Sequence, residues 1–212
     1  MAEDPEIATP QPASPVAVTP AKAVSIYTIE EISNELRQGE ILTGVVQYIY
    51  DPTKEGFDII ERPYVVILTQ DCDLLWDFEA RTKGEDRDLI GVLLYEAEPA
   101  RNVRTTIGGR DIWKRIIQNK DERYHLLEEV PSQFDAHNEG LPALVIDFKR
   151  YFTLEPDEVY RQCLTGNGAK RRCRVETPYR EHLQTRAASY LQRVTLPEPH
   201  KYVPPSMPNA PP

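Results

Sequence analysis

The sequence predicts a mainly β protein with added helices, of the α+β class, from three observations. Short apolar runs rich in Val, Ile and Tyr recur without helical spacing. Stripes with helical spacing are fewer, and each sits beside a start or stop signal. Proline-rich stretches bound both ends of the chain and set the limits of the folded part.

Residues 1–25 hold prolines at 5, 10, 12, 15 and 20, which remove backbone donors and favour extended chain, so this stretch reads as a disordered tail. Thr28-Ile29-Glu30-Glu31 has capping-box spacing, and Ile29, Ile32 and Leu36 form a stripe that Gly39 closes, which predicts a short opening helix. Ile41 to Tyr50 reads as a strand ended by Asp51-Pro52. Tyr64 to Thr69 and Leu89 to Tyr95 are continuous apolar runs of the kind buried on both faces, and Ala143 to Phe152 is a fourth strand. Asp111 to Ile117 carries a one-sided apolar stripe after Gly108-Gly109, with Trp113 as a core anchor, and Pro156 to Tyr160 starts another helix. The last helix has Thr177 as N-cap and Leu183, Ala187, Tyr190, Leu191 and Val194 on one face, and Pro197 ends it. Residues 26–197 form one globular domain on this reading, and 198–212 a second Pro-rich tail.

The 212 residues are 40% hydrophobic and 28% charged, enough apolar content for a sizeable core. A formal charge of -9 repels phosphate backbones at long range, so RNA binding would need a local basic patch. Cys72, Cys163 and Cys173 cannot all pair within one chain, the first residues lack the pattern of a signal peptide, and no apolar run is long enough to span a bilayer. A cytoplasmic protein with no membrane contact is expected, and the sequence carries no cofactor fingerprint.

The stretch Gln70-Asp71-Cys72-Asp73 is the most unusual chemically. Read as a continuation of the preceding strand, it places Asp71 and Asp73 on one side, as donors toward a divalent metal, and Cys72 on the other. Glu61, Asp77, Glu79, Asp86 and Asp88 are further oxygen donors. Flanking carboxylates disfavour a Cys72 thiolate, so the plainer reading turns Cys72 inward and has the aspartates cap backbone donors, with Leu74, Leu75 and Trp76 returning to the core. Lys170, Arg171, Arg172 and Arg174 follow a Gly-Asn-Gly turn and form a candidate anion or nucleic-acid contact, which Arg180, Arg186 and Arg193 would extend.

Gln38-Gly39-Glu40-Ile41, the turn Asp51-Pro52-Thr53-Lys54 and the strand Arg62-Pro63-Tyr64-Val65-Val66-Ile67-Leu68, in that order and spacing, resemble the N-terminal half of MazF/PemK-like toxins. The resemblance covers residues 38–69 and implies an SH3-like small barrel and cleavage of single-stranded RNA. It places the phosphate-stabilising arginine at Arg62, a role suited to the planar guanidinium fork. The family's Ser or Thr near the end of the following strand has no counterpart, because Tyr95-Glu96-Ala97-Glu98 stands there. "LPALVIDFKRYFTL" and "PYREHLQTRAASYLQRVTLP" look like bacterial or phage-associated proteins that share the Gln-Asp-Cys-Asp stretch. The favoured expectation is a noncatalytic regulatory or protein-binding component of a prokaryotic conflict, defence or mobile-element system, with a protein partner or a second copy. The alternative is a divergent endoribonuclease using Arg62, and the third a metal or thiol site at Asp71 to Asp73.

Overall fold

The computed structural model describes residues 25–29, 34–164 and 168–192. Its centre is a seven-stranded antiparallel sheet in the order β1-β7-β2-β3-β4-β6-β5. The strands are β1 (Tyr27–Thr28), β2 (Glu40–Asp51), β3 (Gly56–Ile67), β4 (Val92–Pro99), β5 (Tyr124–Leu127), β6 (Leu144–Leu154) and β7 (Lys170–Val175). Five helices, α1 (Asp71–Lys83), α2 (Ala100–Thr106), α3 (Arg110–Ile117), α4 (Pro156–Leu164) and α5 (Tyr179–Leu191), complete the α+β fold. The expectation of a mainly β core with added helices holds.

Apolar side chains line both faces of the sheet, which explains why its strands read as continuous apolar runs. On one face Ile41, Val66, Tyr95, Ile146, Phe148 and Cys173 pack under Leu183 and Ala187 of α5. On the other, Leu42, Val65, Ile67 and Leu94 pack under Leu74 of α1 and Val159 and Tyr160 of α4. A smaller cluster of Val103, Ile116 and Val145 seats α2 and α3, with Trp113 against it. The sheet edges lean toward each other. The Tyr27 hydroxyl donates to the Glu128 carbonyl at 2.6 Å, and the Ala136 N–H donates to the Arg172 carbonyl at 2.7 Å. No strand pairing joins β1 to β5 among the described residues.

Gly44 sets the shape of the longest element. Its φ of +71° is left-handed backbone that glycine adopts without penalty. Leu42 and Val45, three residues apart, both enter the second core cluster, so the in-out alternation shifts by one at this glycine. Beyond it β2 and β3 leave the sheet together. Of β2 only Glu40–Thr43 pairs with β7, and of β3 only Tyr64–Ile67 pairs with β4, so Val45–Asp51 and Gly56–Arg62 pair with each other alone.

Several local expectations are corrected. Gln70 to Asp73 does not prolong β3; it begins α1, with the Leu74 N–H donating to the Gln70 carbonyl at 3.1 Å. The helix signals are Asp71 and Asp73 in the first turn, Arg81 and Lys83 in the last, and Gly84 in the left-handed conformation at its end, which match the helix dipole and a glycine C-cap. Cys72 is exposed, and the cysteine that serves as a small apolar core residue is Cys173. Leu74 is buried as expected, whereas Trp76 is exposed. Thr28 lies in β1 opposite Arg174, and residues 30–33 of the expected opening helix lie outside the described residues. Pro178, not Thr177, is the N-cap residue of α5. The expected tails 1–25, save for residue 25, and 198–212 also lie outside the described residues, as do Arg193, Val194 and Pro197.

Candidate functional site

Arg62 lies opposite Val45, where the hairpin leaves the sheet. Its Nη1 pairs with Glu96 Oε2 at 2.7 Å, its Nη2 donates to Gln47 Oε1 at 2.9 Å, and its guanidinium carbon stands 5.2 Å from the centre of the Phe152 ring. Arg150 Nη2 meets the other oxygen of Glu96 at 2.9 Å and also pairs with Glu98. Both terminal nitrogens of Arg62 are therefore engaged, and two carboxylates lie where a phosphate would approach. A phosphate ligand would have to displace Glu96 from a site that is nearly closed to solvent.

The basic stretch 170–174 is strand β7, and its arginines face carboxylates of this same chain. Arg171 grips Glu40 through two nitrogens, one at 2.6 Å, and also donates to the Glu35 carbonyl. Glu40 is completely buried; that burial raises its carboxyl, and Arg171 offsets part of the rise. Arg172 makes a fork on Asp135, with Nε and Nη2 at 2.8 and 2.6 Å. Burial alone would raise the Asp135 carboxyl, but the Arg172 fork and the His137 and Glu139 backbone N–H groups outweigh it and hold it at about 2. Arg174 donates to the Gln38 carbonyl and pairs with Asp71 at 2.5 Å, and burial with nearby Arg180 lowers it to about 10. Only Lys170 of this group is exposed, 3.8 Å from Glu139. The cluster anticipated as an anion contact is a set of structural ion pairs, because the fold brings Glu40, Asp71 and Asp135 to it.

The proposed metal pair is also divided. Residues two apart on a helix point about 200° apart. Asp71 turns to Arg174, to Arg180 at 3.1 Å and to the Gln38 N–H at 2.8 Å. Asp73 faces a different cleft, with Trp76 and Asp77. Among the described residues no three His, Cys, Asp or Glu side chains gather to hold a metal ion. Burial raises the thiols of Cys163, to about 11, and of Cys173, so neither is a ready nucleophile.

What the sequence reading missed is the outer half of the hairpin. Tyr48 lies opposite Ile59 and Tyr50 opposite Phe57, so alternation puts all four on one face. They are 52%, 68%, 56% and 66% exposed in that pairing order, which makes this a continuous apolar face and not scattered residues. Tyr50 and Phe57 meet edge to face with ring centres 5.5 Å apart. The tip is clipped shut: Asp51 Oδ1 accepts from the Thr53 N–H and hydroxyl at 2.8 and 2.7 Å, and Lys54 pairs with Asp58 at 2.8 Å. Where β2 leaves the sheet, the Gln162 side chain bonds both the N–H and the carbonyl of Val46, at 2.8 and 2.7 Å, standing in for a neighbouring strand. The available signal was Phe57-Asp58-Ile59-Ile60 across a short turn from Tyr48-Ile49-Tyr50, a hairpin pattern with aromatics on the same face.

No protein-family model matches the chain, and no curated protein sequence matches it. Among the described residues no helix is long and apolar enough to cross a membrane.

Proposed function

We propose that this chain is a noncatalytic, protein-binding component and that the outer β2–β3 hairpin is its docking arm. The exposed face of Tyr48, Tyr50, Phe57 and Ile59 is the observation that carries this reading. A two-stranded ribbon gains little stability by exposing aromatic residues to water, whereas such residues are the common anchors of protein interfaces. Glu55 and Glu61 flank the face and the chain as a whole is acidic, so the matching partner is a protein with an apolar patch rimmed by basic residues. A prokaryotic conflict or mobile-element setting rests on the PemK-like resemblance and on the phage-like second half alone. The ribonuclease alternative has less support, because the guanidinium of Arg62 is already held by Glu96 and Gln47.

The test is stoichiometric co-purification from the native host, followed by reconstitution with the identified partner. Tyr50→Ser with Phe57→Ser should abolish the complex, and Arg62→Ala should retain it. Cleavage of labelled single-stranded RNA by the wild-type chain, lost in Arg62→Ala, would reject the noncatalytic reading.

A further inference from the structure

The Gln70–Asp73 stretch opens a helix whose outer face does more than cap. Asp73, Trp76, Asp77 and Ala80 recur at helical spacing on one side of α1, and with the loop Asp86–Leu89 they line a cleft of about 350 Å³. Four of its lining residues are aspartates, against one guanidinium, that of Arg87. An acidic rim alone would be a solvated surface. Two features set this one apart.

The first is Asp77. It is 4% exposed, and its Oδ1 accepts no hydrogen bond. The nearest cations are Arg87 Nη1, 3.7 Å from Oδ1, and Arg81 Nη2, 3.6 Å from Oδ2, both beyond hydrogen-bonding reach. Arg87 is committed elsewhere, making a fork on Asp157 at 2.7 and 2.9 Å. Arg81 gives Nη1 to the same carboxylate and lies 4.4 Å from the Tyr160 ring centre, while its Nε and Nη2 are buried without an acceptor and leave Oδ1 of Asp77 unserved. Asp77 is thus charge-balanced at a distance but lacks a donor, which is costly for a buried carboxylate. The second feature is Trp76, beside it and 67% exposed. Indole is the best side-chain surface for a cation.

We infer that this cleft binds a cationic side chain of a basic peptide, arginine in preference to lysine, with its head group donating to Asp77 and its plane lying on Trp76. A guanidinium supplies several donors in one plane and stacks on an aromatic face, both of which the cleft calls for, while Asp73, Asp86 and Asp88 add attraction at the rim. A hard divalent ion fits less well: it needs six or more oxygen ligands, and among the described residues no three His, Cys, Asp or Glu side chains, these aspartates included, come close enough together to hold one. The inference does not depend on the hairpin arm.

The experiment titrates the full chain with acetyl-Gly-Arg-Gly-amide, following tryptophan fluorescence and heat. Acetyl-Gly-Ala-Gly-amide and calcium or magnesium chloride serve as the comparison ligands. A saturable signal with the arginine peptide is expected, weakened by salt and absent with the alanine peptide. Trp76→Ala and Asp77→Asn should each weaken binding at least tenfold. Should Asp77→Asn fail to fold, Trp76→Ala and Asp88→Asn change exposed positions and carry the test, each weakening binding measurably. The hairpin variant Tyr50→Ser with Phe57→Ser should bind the peptide unchanged. Equal binding of both peptides, full binding by Trp76→Ala, loss of binding in the hairpin variant, or saturation by a divalent ion without peptide binding would each overturn the inference.

Discussion

Strand β7 and the outer β2–β3 hairpin both adjoin the inner half of β2, and they invert the usual rule in opposite directions. β7 buries arginines: Arg172 and Arg174 are 6% and 4% exposed. The hairpin exposes its aromatics. The first inversion is resolved inside the chain, because Glu40, Asp135 and Asp71 meet Arg171, Arg172 and Arg174 with short, mostly forked contacts. The second has no such resolution, since Tyr48, Tyr50, Phe57 and Ile59 face away from all three core clusters. A local violation that the fold compensates points to structure; one left uncompensated points to a surface used by another molecule.

The largest effect should come from breaking the compensation in β7. Arg172→Ala leaves Asp135 buried beside Gly140, whose φ of +74° and tight approach to the Val130 carbonyl show that the loop is closely fitted. A loss of about 3–5 kcal/mol in urea unfolding is expected, as for other buried pairs that lose one partner. Arg172→Ala with unchanged stability would return that arginine to the list of ligand contacts.

Acid comes next, and two groups separate its effects. His125 is buried among Phe148, His182 and Arg186, its Nδ1 has no partner, and burial first, then the charges of Arg186 and His182, push its pKa down to about 3. The unfolded chain takes up that proton near 6.5 and the folded chain does not, so stability is full above about pH 6.5 and falls as pH drops toward 3. At pH 4.5 the loss from this group alone should be about 2–3 kcal/mol. Asp135 acts lower: its folded pKa lies below the unfolded value, so its contribution holds above about pH 4 and is lost on the way to 2. Urea midpoints measured from pH 7 to 3 should slope in both windows, and His125→Phe should flatten the upper one only. A slope that persists unchanged between pH 6.5 and 4.5 in that variant would assign it to other groups.

How much of this was legible in the sequence differs between the same regions. The runs that became β2, β4 and β6 could be read because β-branched and aromatic residues crowd them, and α3 and α4 because a one-sided stripe follows Gly109 or starts at Pro156. α1 was missed because its first turn abuts the apolar run of β3, so the acidic start, basic end and Gly84 were outweighed by apparent continuity. β7 was read as a basic surface because a run of arginines carries no mark of the partners that long-range folding supplies: Glu40 lies 131 residues from Arg171. Arg62 was singled out by resemblance and Glu96 was already noted in the strand that follows, but local spacing did not report that the two side chains, 34 residues apart, would close on each other across adjacent strands. The hairpin face was missed because the segment 57–60 was not read as a strand at all, and exposure is a property of the sheet's extent, which local spacing does not report.

The smallest effect on stability should come from the hairpin, and it tests the central claim most directly. The measurement is the unfolding free energy of Tyr50→Ser with Phe57→Ser, taken alongside a binding isotherm with the reconstituted partner. The account predicts a loss of under about 1 kcal/mol, the worth of one exposed cross-strand aromatic pair, together with loss of binding. A loss of about 3 kcal/mol or more with the partner still bound would show that the apolar face supports this fold instead of meeting another protein.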